Sequence, residues 1–536
     1  MITAPRAAAA DRAAMTPQAG PGSHRWRWAV LSILCVTQLL ISLDLTILNV
    51  ALPAIVTDLH ATSSPLQWIV DAYAVAFAGL LLTLGALGDR AGRTWVFLAG
   101  LLVFAVGSAY SAFAGSAELL TAGRVVTGVG AAALMPGTLS ILTNVFSTDR
   151  DRGRAIGIWS ATAGLGVAIG PILGGFLLIH YWWGSVFLIN VPVAVLGALA
   201  AIFLVPNSRN VHAKKLDPVG MLLSILGFGL LLWAIIEAPT QTWTAPPIIG
   251  ALAASAVLIA GFLVWEHRRT DPMLPVSFFR RRRYSAAIAS LALVLFALMG
   301  VLFLMTQYLQ FVLGFSAFHA GLAIGPIALV LLLTAPLSAV LARKIGTKSV
   351  VVPGLLFIAL GLGFLSQTTV VSGYHWCLPF LMLIGCGVGL ALAPSTDSVM
   401  GSVPKDEAGV GSATSDTSLQ VGGALGVAVL GTALNLRYQH LMAALIGHHA
   451  LPSAIHDAIL GSLGGALEAA ARIPGPAGAA LAEAARQSFV SGMNLGLLIA
   501  SIVVAAAACV VLIALPQRPA PPATPTRAPA ELVSRT

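Results

Sequence analysis

Residues 28–52 read WAVLSILCVTQLLISLDLTILNVAL, an apolar run with a single charged side chain, Asp44. A helix needs roughly 20 such residues to cross the hydrocarbon core of a bilayer. Thirteen further runs follow, and each is predicted to be a helix because a helical segment satisfies its own backbone hydrogen bonds in lipid. The fourteen predicted spans are 28–52, 67–87, 95–114, 118–145, 155–178, 184–205, 217–237, 246–266, 285–313, 320–342, 350–368, 376–400, 408–436 and 488–515.

The composition predicts an all-α integral membrane protein. Of the 536 residues, 58% are apolar and only 9% are charged, whereas soluble proteins carry about 25% charged residues. If the N-terminus is cytoplasmic, 25 of the 29 Lys and Arg residues fall in cytoplasmic segments. This bias predicts a multi-pass protein of the cell (plasma) membrane with both termini in the cytoplasm. The net charge of +9 is then a topology signal, and no nucleic-acid partner is expected.

Two basic stretches divide the chain, PNSRNVHAKKL (206–216) and HRRTDPMLPVSFFRRRRY (267–284). They isolate one pair of spans and leave six spans on either side, a plan typical of transporters that bind substrate between two bundles. Since such a chain closes a full bundle alone, a monomer is expected. The predicted units are a disordered tail (1–24), an N-terminal six-helix bundle (25–205), a linker with two extra membrane helices (206–284), a C-terminal six-helix bundle (285–515) with an outside loop (438–487), and a disordered tail (516–536).

The outside loop is rich in histidine, which leaves two interpretations open, a metal site or a short amphipathic loop. The spacings match no established ligand pattern, so the second is favoured and no metal or cofactor is predicted. The histidines are His440, His448, His449 and His456. A phosphate-binding GxxxxGK[ST] loop is absent from the sequence, which predicts an ion gradient as the energy source. The loops also show no catalytic constellation, so an enzyme is not predicted.

Three charged side chains, Asp44, Asp71 and Arg124, fall inside predicted spans near their outer ends. At 1.5 Å per residue, Asp44 should lie on the order of 12 Å below the outer surface, and the other two roughly 6–10 Å below it. Charges inside a membrane usually face the protein interior and mark ion pathways. We expect one proton-coupling cluster in which Arg124 holds one carboxylate ionised while the other binds and releases a proton. Asp44 is predicted to take and release a proton. The alternative is a static buried ion pair that orients the helices.

A further carboxylate, Asp416, lies in GSATSDTSLQVGGALG (411–426), about 12 Å from the inner end of its span. Three roles stay open for it: a second proton site, a contact for a cationic substrate, or part of a structural polar patch. Asp397 lies closer to the cytoplasm, and a hydrated helix end is the favoured interpretation there.

Two glycine-rich stretches predict special backbone contacts. In GLGVAIGPILGG (164–175) the glycines leave a flat face against which another helix can press, and the proline removes an amide donor and should bend the helix. This predicts a tight but sliding seal formed by Gly166, Gly170, Pro171, Gly174 and Gly175. In GALGDRAGR (85–93) a sharp turn and a small charge network are predicted at the inner surface, formed by Gly85, Asp89, Arg90, Gly92 and Arg93. Such a network could latch one conformation.

Four segments together resemble the major facilitator superfamily, and specifically its fourteen-helix branch of drug:proton antiporters. LDLTILNVALP (43–53) resembles the branch's first-helix motif, and GALGDRAGRTWVF (85–97) the superfamily's loop motif, with Thr94 where Lys or Arg is usual. LTAGRVVTGVGAA (120–132) resembles the fourth-helix motif, with Thr127 where Gln is common. GVAIGPILGG (166–175) resembles the antiporter motif and is the most specific of the four.

The resemblance implies the major facilitator fold, with two six-helix bundles plus a two-helix insertion. It implies proton coupling for Asp44 and Arg124, a cytoplasmic gate at Asp89, and an antiport seal for the glycines of the fifth helix. The predicted function is proton-coupled export of lipophilic, cationic drugs or toxic organic compounds. The alternative is proton-coupled export of an endogenous metabolite, antibiotic or lipid. The expected partners are a small organic substrate, protons and the lipid bilayer.

Overall fold

The computed structural model describes residues 23–146, 148–208, 216–270, 272–404, 408–447 and 452–515. These residues form helices and contain no strand. Fourteen of the helices are long and apolar enough to cross a membrane, which confirms the predicted number. The helices are α1 Ser23–Leu59, α2 Ser63–Ala91, α3 Arg93–Ala112, α4 Ala117–Val145, α5 Asp149–His180, α6 Ser185–Leu204, α7 Pro218–Gln241, α8 Pro246–Arg268, α9 Arg282–Val312, α10 Ala317–Ile345, α11 Lys348–Leu365, α12 Tyr374–Met400, α13 Ala408–Ile446, α14 Ser453–Gly461, α15 Leu463–Arg472 and α16 Pro476–Ala514.

Several helices extend well past the apolar runs that predicted them. Helix α16 has 39 residues, which at 1.5 Å per residue is about 58 Å, far longer than a hydrocarbon core of about 30 Å. The segment predicted as the outside loop 438–487 is therefore largely helical, because α13 and α16 continue into it and α14 and α15 lie between them. Proline and serine mark the helix starts there: Pro452 precedes α14, and the Ser462 hydroxyl accepts from Gly465 N at α15. The predicted tails, 1–24 and 516–536, lie outside the described residues apart from 23 and 24.

The two ends of the bundle differ in character. The basic end carries the turn between α2 and α3 and the arginines that begin α9. The far end carries α14 and α15.

Helix packing forms two main groups. In the first, α4 packs on α2 and α3, and α1 packs on α5. In the second, α9 packs on α13, α12 on α10 and α11, and α16 on α13 and α11. Helices α5 with α10, and α2 with α13, join the groups, while α7 and α8 pack on each other and α7 also contacts α2 and α13.

Hydrogen bonds link helices of different parts of the bundle at the far end. There the Gln310 amide donates to Val50 O at 3.0 Å, and Ser63 Oγ donates to Gly461 O at 2.9 Å. Toward the basic end of α5, Gly153 and Gly157 have open space where a side chain would stand. The hydrogen bonds from Gln310 and Ser63 therefore fix neighbouring helices to one another at the far end.

Candidate functional site

A buried ion pair joins α1 to α4. Arg124 Nη1 donates to Asp44 Oδ2 at 2.7 Å, and the two side chains are 1% and 0% exposed. Removing either charge alone would leave the other in a place without water, where an unpaired ion is strongly unfavourable. The prediction that these two residues lie together is therefore reproduced by the geometry.

Arg124 is held by three further groups around its guanidinium. Its Nε donates to Ile69 O at 3.3 Å, and its Cζ lies 4.5 Å from the centre of the Tyr73 ring and 5.7 Å from that of Phe187. A guanidinium over an aromatic face is attracted by the ring quadrupole. Helix α4 can approach α2 so closely because Gly128 lacks a side chain, and a Cβ there would lie 2.5 Å from Tyr73 O.

Asn190, near the start of α6, completes the carboxylate site and was missed by the sequence analysis. Its Nδ2 donates at 2.9 Å to Asp44 Oδ1, the oxygen that Arg124 leaves free. The same Nδ2 lies 3.5 Å from Ser108 Oγ. Asn190 is 0% exposed. Both oxygens of Asp44 therefore accept from buried donors, one charged and one neutral.

Asp71 does not join this pair, which corrects the expectation of a single three-charge cluster. Both of its oxygens are buried and have no hydrogen-bond partner among the described residues. Ile69 and Tyr73 on α2 face α4 through Arg124. Gln67 instead packs against Gly431 of α13, and Ala74 packs with Ala428. Asp71 is one turn from Gln67 on that second face, because residues four apart share a helix face.

The predicted seal residues pack against two helices at once. Three of them face α1: a Cβ at Gly166 would lie 2.7 Å from Ser42 Cβ, one at Gly170 would clash with Thr46 Oγ1, and one at Gly174 would lie 2.8 Å from Ile47 Cγ1. On the other side, Gly175 contacts the α10 backbone at Phe318, and Pro171 O contacts Gly321. Pro171 lies inside a helix that continues from Asp149 to His180. The backbones of α1, α5 and α10 therefore meet at close range.

The predicted gate residues surround the α2–α3 turn. Arg93 Nε donates to Asp89 Oδ1 at 2.8 Å, and Gly92 occupies a φ of +117° that disfavours other residues. Gly85 faces Pro136 of α4, with 3.2 Å between its Cβ position and the proline Cβ. Arg90 is exposed.

Thr94 has a polar partner of its own at this turn. Its Oγ1 donates to Pro206 O at 3.0 Å, which ties α3 to the segment after α6.

The sequence profile of the Major Facilitator Superfamily matches residues 34–427, well over half of the chain. The chain belongs to this superfamily. Two relatives match nearly the full length of the chain. The multidrug efflux pump LfrA of Mycolicibacterium smegmatis is 36% identical over 91% of this chain and 96% of its own. The tetracenomycin C resistance and export protein of Streptomyces glaucescens is 34% identical over 90% of this chain and 91% of its own.

Solved structures of the superfamily share the fold. A bacterial homologue of the human lysosomal transporter Spinster, in an inward-facing and unoccupied conformation, superposes with a TM-score of 0.62. It covers 92% of this chain and 97% of its own at 18% identity, so the likeness concerns the fold alone. The family and the fold identify this major facilitator protein as a transporter.

Asp416 of this transporter stands apart from the buried pair. It is half-buried on α13 and makes no hydrogen bond or ion pair with another described residue. Asp397 on α12 is exposed, in keeping with a hydrated helix end.

Metal coordination finds no support in the described part of the chain. Within it, no group of three or more His, Cys, Asp or Glu side chains is placed to hold a metal ion. Two of the four histidines considered earlier, His448 and His449, lie outside the described residues.

Proposed function

We propose that this transporter exports lipophilic organic cations by exchanging them for protons. The observation that carries the proposal is a mismatch of buried charge. Two carboxylates, Asp44 and Asp71, lie fully buried in the first helix group, and Arg124 ion-pairs with only one of them. An ionised carboxylate without partners is costly in such a place, and the group avoids the cost by taking a proton. Asp71 is therefore the proton carrier of the proposal.

Asp44 and Arg124 act as the coupling element. Together with Asn190, this pair joins α1, α4 and α6. A change of charge nearby therefore alters the interactions that hold three helices together. When Asp71 loses its proton, a buried negative charge appears on α2, the helix whose Ile69 carbonyl accepts from Arg124, and the preferred arrangement of these helices changes. The transport step follows from that preference.

The orientation of the proposal places the basic end and both termini in the cytoplasm of a plasma-membrane protein. The positive-inside bias of the sequence supports this. The close packing of α1, α5 and α10 is then the seal, and the Asp89–Arg93 pair is part of the cytoplasmic gate. We also infer that 25–205 and 285–515 are the units that rock against each other, that 206–284 is a linker between them, and that one chain transports alone.

The substrate class rests on charge and on relatives. Asp416 is half-buried and free of ion pairs among the described residues, which suits a transient contact with a cation or a second proton. A methyl viologen resistance protein of Salmonella typhimurium, named for an organic dication, is 30% identical over 87% of this chain. This supports cationic substrates.

Export of an antibiotic made by the producing cell is the second candidate. The tetracenomycin C resistance and export protein supports it by name, and so does a probable actinorhodin transporter of Streptomyces coelicolor, which is 35% identical over 80% of this chain. The energy coupling would be the same, and only the cargo would differ.

The test uses inverted membrane vesicles with an acidic lumen and a pH-sensitive dye. Methyl viologen, tetraphenylphosphonium and a neutral polyketide are added in turn to wild type, Asp44→Asn and Asp71→Asn, after equal insertion is verified. We expect substrate-dependent proton release in wild type and none in either variant. If Asp71→Asn releases protons like wild type, Asp71 is not the carrier. If only the polyketide evokes a response, the second candidate is correct.

A further inference from the structure

A polar cavity of about 160 Å³ opens at the far end, where α2, α7, α13 and α14 meet. Its walls carry hydroxyl, amide and carboxylate groups beside the apolar surface of residues such as Leu460. The polar lining residues are Thr62, Ser63, Ser64, Thr240, Asn435, Gln439 and Asp457. The volume holds several water molecules, and the hydroxyl, amide and carboxylate groups of the lining offer them hydrogen-bond partners.

Asn435 is the deepest polar group of this cavity. It is 1% exposed, and neither its amide nitrogen nor its amide oxygen has a hydrogen-bond partner among the described residues. Buried amides are nearly always paired, with protein or with ordered water. Water in the cavity beside Asn435 is therefore a suitable partner for this amide, which no described residue pairs.

From this cavity a row of polar side chains leads inward along α2. Ser64, Gln67 and Asp71 stand at positions i, i+3 and i+7, which share one helix face. Gln67 is 0% exposed, and its Oε1 has no partner in the described structure. Gln67 packs against Gly431 of α13, and a Cβ at Gly431 would lie 2.7 Å from Gln67 Cδ. Gly431 is one turn before Asn435 on the same helix. Gln67 thus stands between the cavity and Asp71.

Asp71 is the inner end of this row, because the charged residues on the neighbouring helices do not continue it. On α13, Asp416 lies toward the basic end, and Arg437 points away because its Nε donates to Ser491 of α16 at 3.2 Å. On α4, Arg124 is paired with Asp44 of α1.

Of the lining residues, Asp457 of α14 is exposed and has His456 Nδ1 3.4 Å from its Oδ1, and Thr240 donates to Glu237 of α7. Acidic groups at an entrance raise the local concentration of cations, including hydronium.

We propose that this cavity and the row Ser64–Gln67–Asp71 are the path by which protons reach Asp71 from the far side of the membrane. This rests on the proposed function, because it assumes that Asp71 carries the proton. A hydronium ion in the cavity passes its proton along waters held by Asn435 and Ser64, and the Asp71 carboxylate accepts it and becomes neutral. The Gln67 amide positions the last water, and no other group changes its charge.

The functional test compares Asn435→Leu and Gln67→Leu with wild type in inverted vesicles, where the far side faces the lumen. The lumen pH is varied at constant external pH. Both variants should transport more slowly by on the order of tenfold, since positioned proton transfer contributes factors of this size or more, and a more acidic lumen should restore part of the rate. Substrate affinity from the basic side should stay unchanged. Asn494→Leu is the matched control, because this amide on α16 bonds Thr368 O and lies outside the row.

Water access is tested separately with cysteine. In a background where the four native cysteines are serine, Asn435→Cys should react in whole cells with a membrane-impermeant, charged thiol reagent. Leu430→Cys, five residues earlier on α13 and 0% exposed on another face, should not react. Reaction at position 435 should slow proton-driven transport.

The outcomes separate this path from the proposed function. If Asn435→Leu and Gln67→Leu match wild type at every lumen pH while Asp71→Asn is uncoupled, the path is wrong and the proton carrier stands. If export by Asp71→Asn remains coupled to proton release, Asp71 is not the proton carrier and the path to it is wrong as well. If Asn435→Leu changes only the KM for the organic cation, the cavity is a substrate exit site and the proton path is overturned.

Discussion

Asn190 Nδ2 donates at 2.9 Å to the one oxygen of Asp44 that Arg124 does not bind. The carboxylate is thus shared between a charged donor on α4 and a neutral donor on α6. This division matters for energetics, because the two donors respond differently to protonation. A protonated Asp44 would release Arg124, whereas Asn190 can still bond to either form through its amide.

Asp44→Asn should destabilise the protein as well as uncouple it. The change leaves Arg124 buried without a counter-charge, and breaking a buried pair in this way costs about 3–5 kcal/mol. The double variant Asp44→Asn/Arg124→Gln removes both charges and should recover most of the lost thermal stability in detergent, but not the coupling. Thermal unfolding and substrate-induced proton release are measured on the same preparations. Equal unfolding temperatures for the single and double variants would contradict the energetic role of the pair.

Asn190→Ala should reduce transport without abolishing it. A hydrogen bond to a charged group contributes about 1.5–3 kcal/mol, and its loss frees Asp44 Oδ1 while the Arg124 pair remains. The expected result is a lower unfolding temperature together with slower but still coupled export. Asn49→Ala is the control, since its Nδ2 reaches only Leu45 O of its own helix, at 3.4 Å. A larger effect at Asn49 than at Asn190 would show that the bond to Asp44 has no special weight.

Gly170→Ala should stop transport. The new Cβ would clash with Thr46 Oγ1, so α5 and α1 would have to separate at the seal. Gly157→Ala is made in the same helix, where nothing lies within 4 Å of the Cβ position. It should leave transport intact and stabilise the helix by about 0.5–1 kcal/mol. Export rates of a fluorescent cation from cells with matched expression decide the comparison. Full activity of Gly170→Ala would mean that the contact with α1 is not needed in the cycle.

The sequence predicted those features that the membrane itself imposes. The fourteen spans follow from hydrophobicity, and the Asp44–Arg124 pair follows from the cost of a lone charge in lipid. Asn190 was not predicted as a site residue, because it is a neutral amide and the prediction rested on charged side chains. It lies in the apolar run FLINVPVAV (187–195). The separate position of Asp71 depends on which face of α2 meets α13, and this is set by packing between distant segments. Helices α14 and α15 were not predicted, because short Ala- and Gly-containing stretches next to prolines are typical of loops.

Asp416→Asn should weaken the transport of cations without lowering stability. Asp416 is half-buried and has no ion-pair or hydrogen-bond partner among the described residues, so nothing is left unpaired when its charge is removed. The apparent affinity for methyl viologen should fall, while that for a neutral substrate should not, because only the cation loses an opposite charge. Asp397→Asn is the control, since that carboxylate is exposed on α12. Binding and proton release are measured in parallel. Unchanged methyl viologen affinity combined with fewer protons released per substrate would instead identify Asp416 as a second proton site.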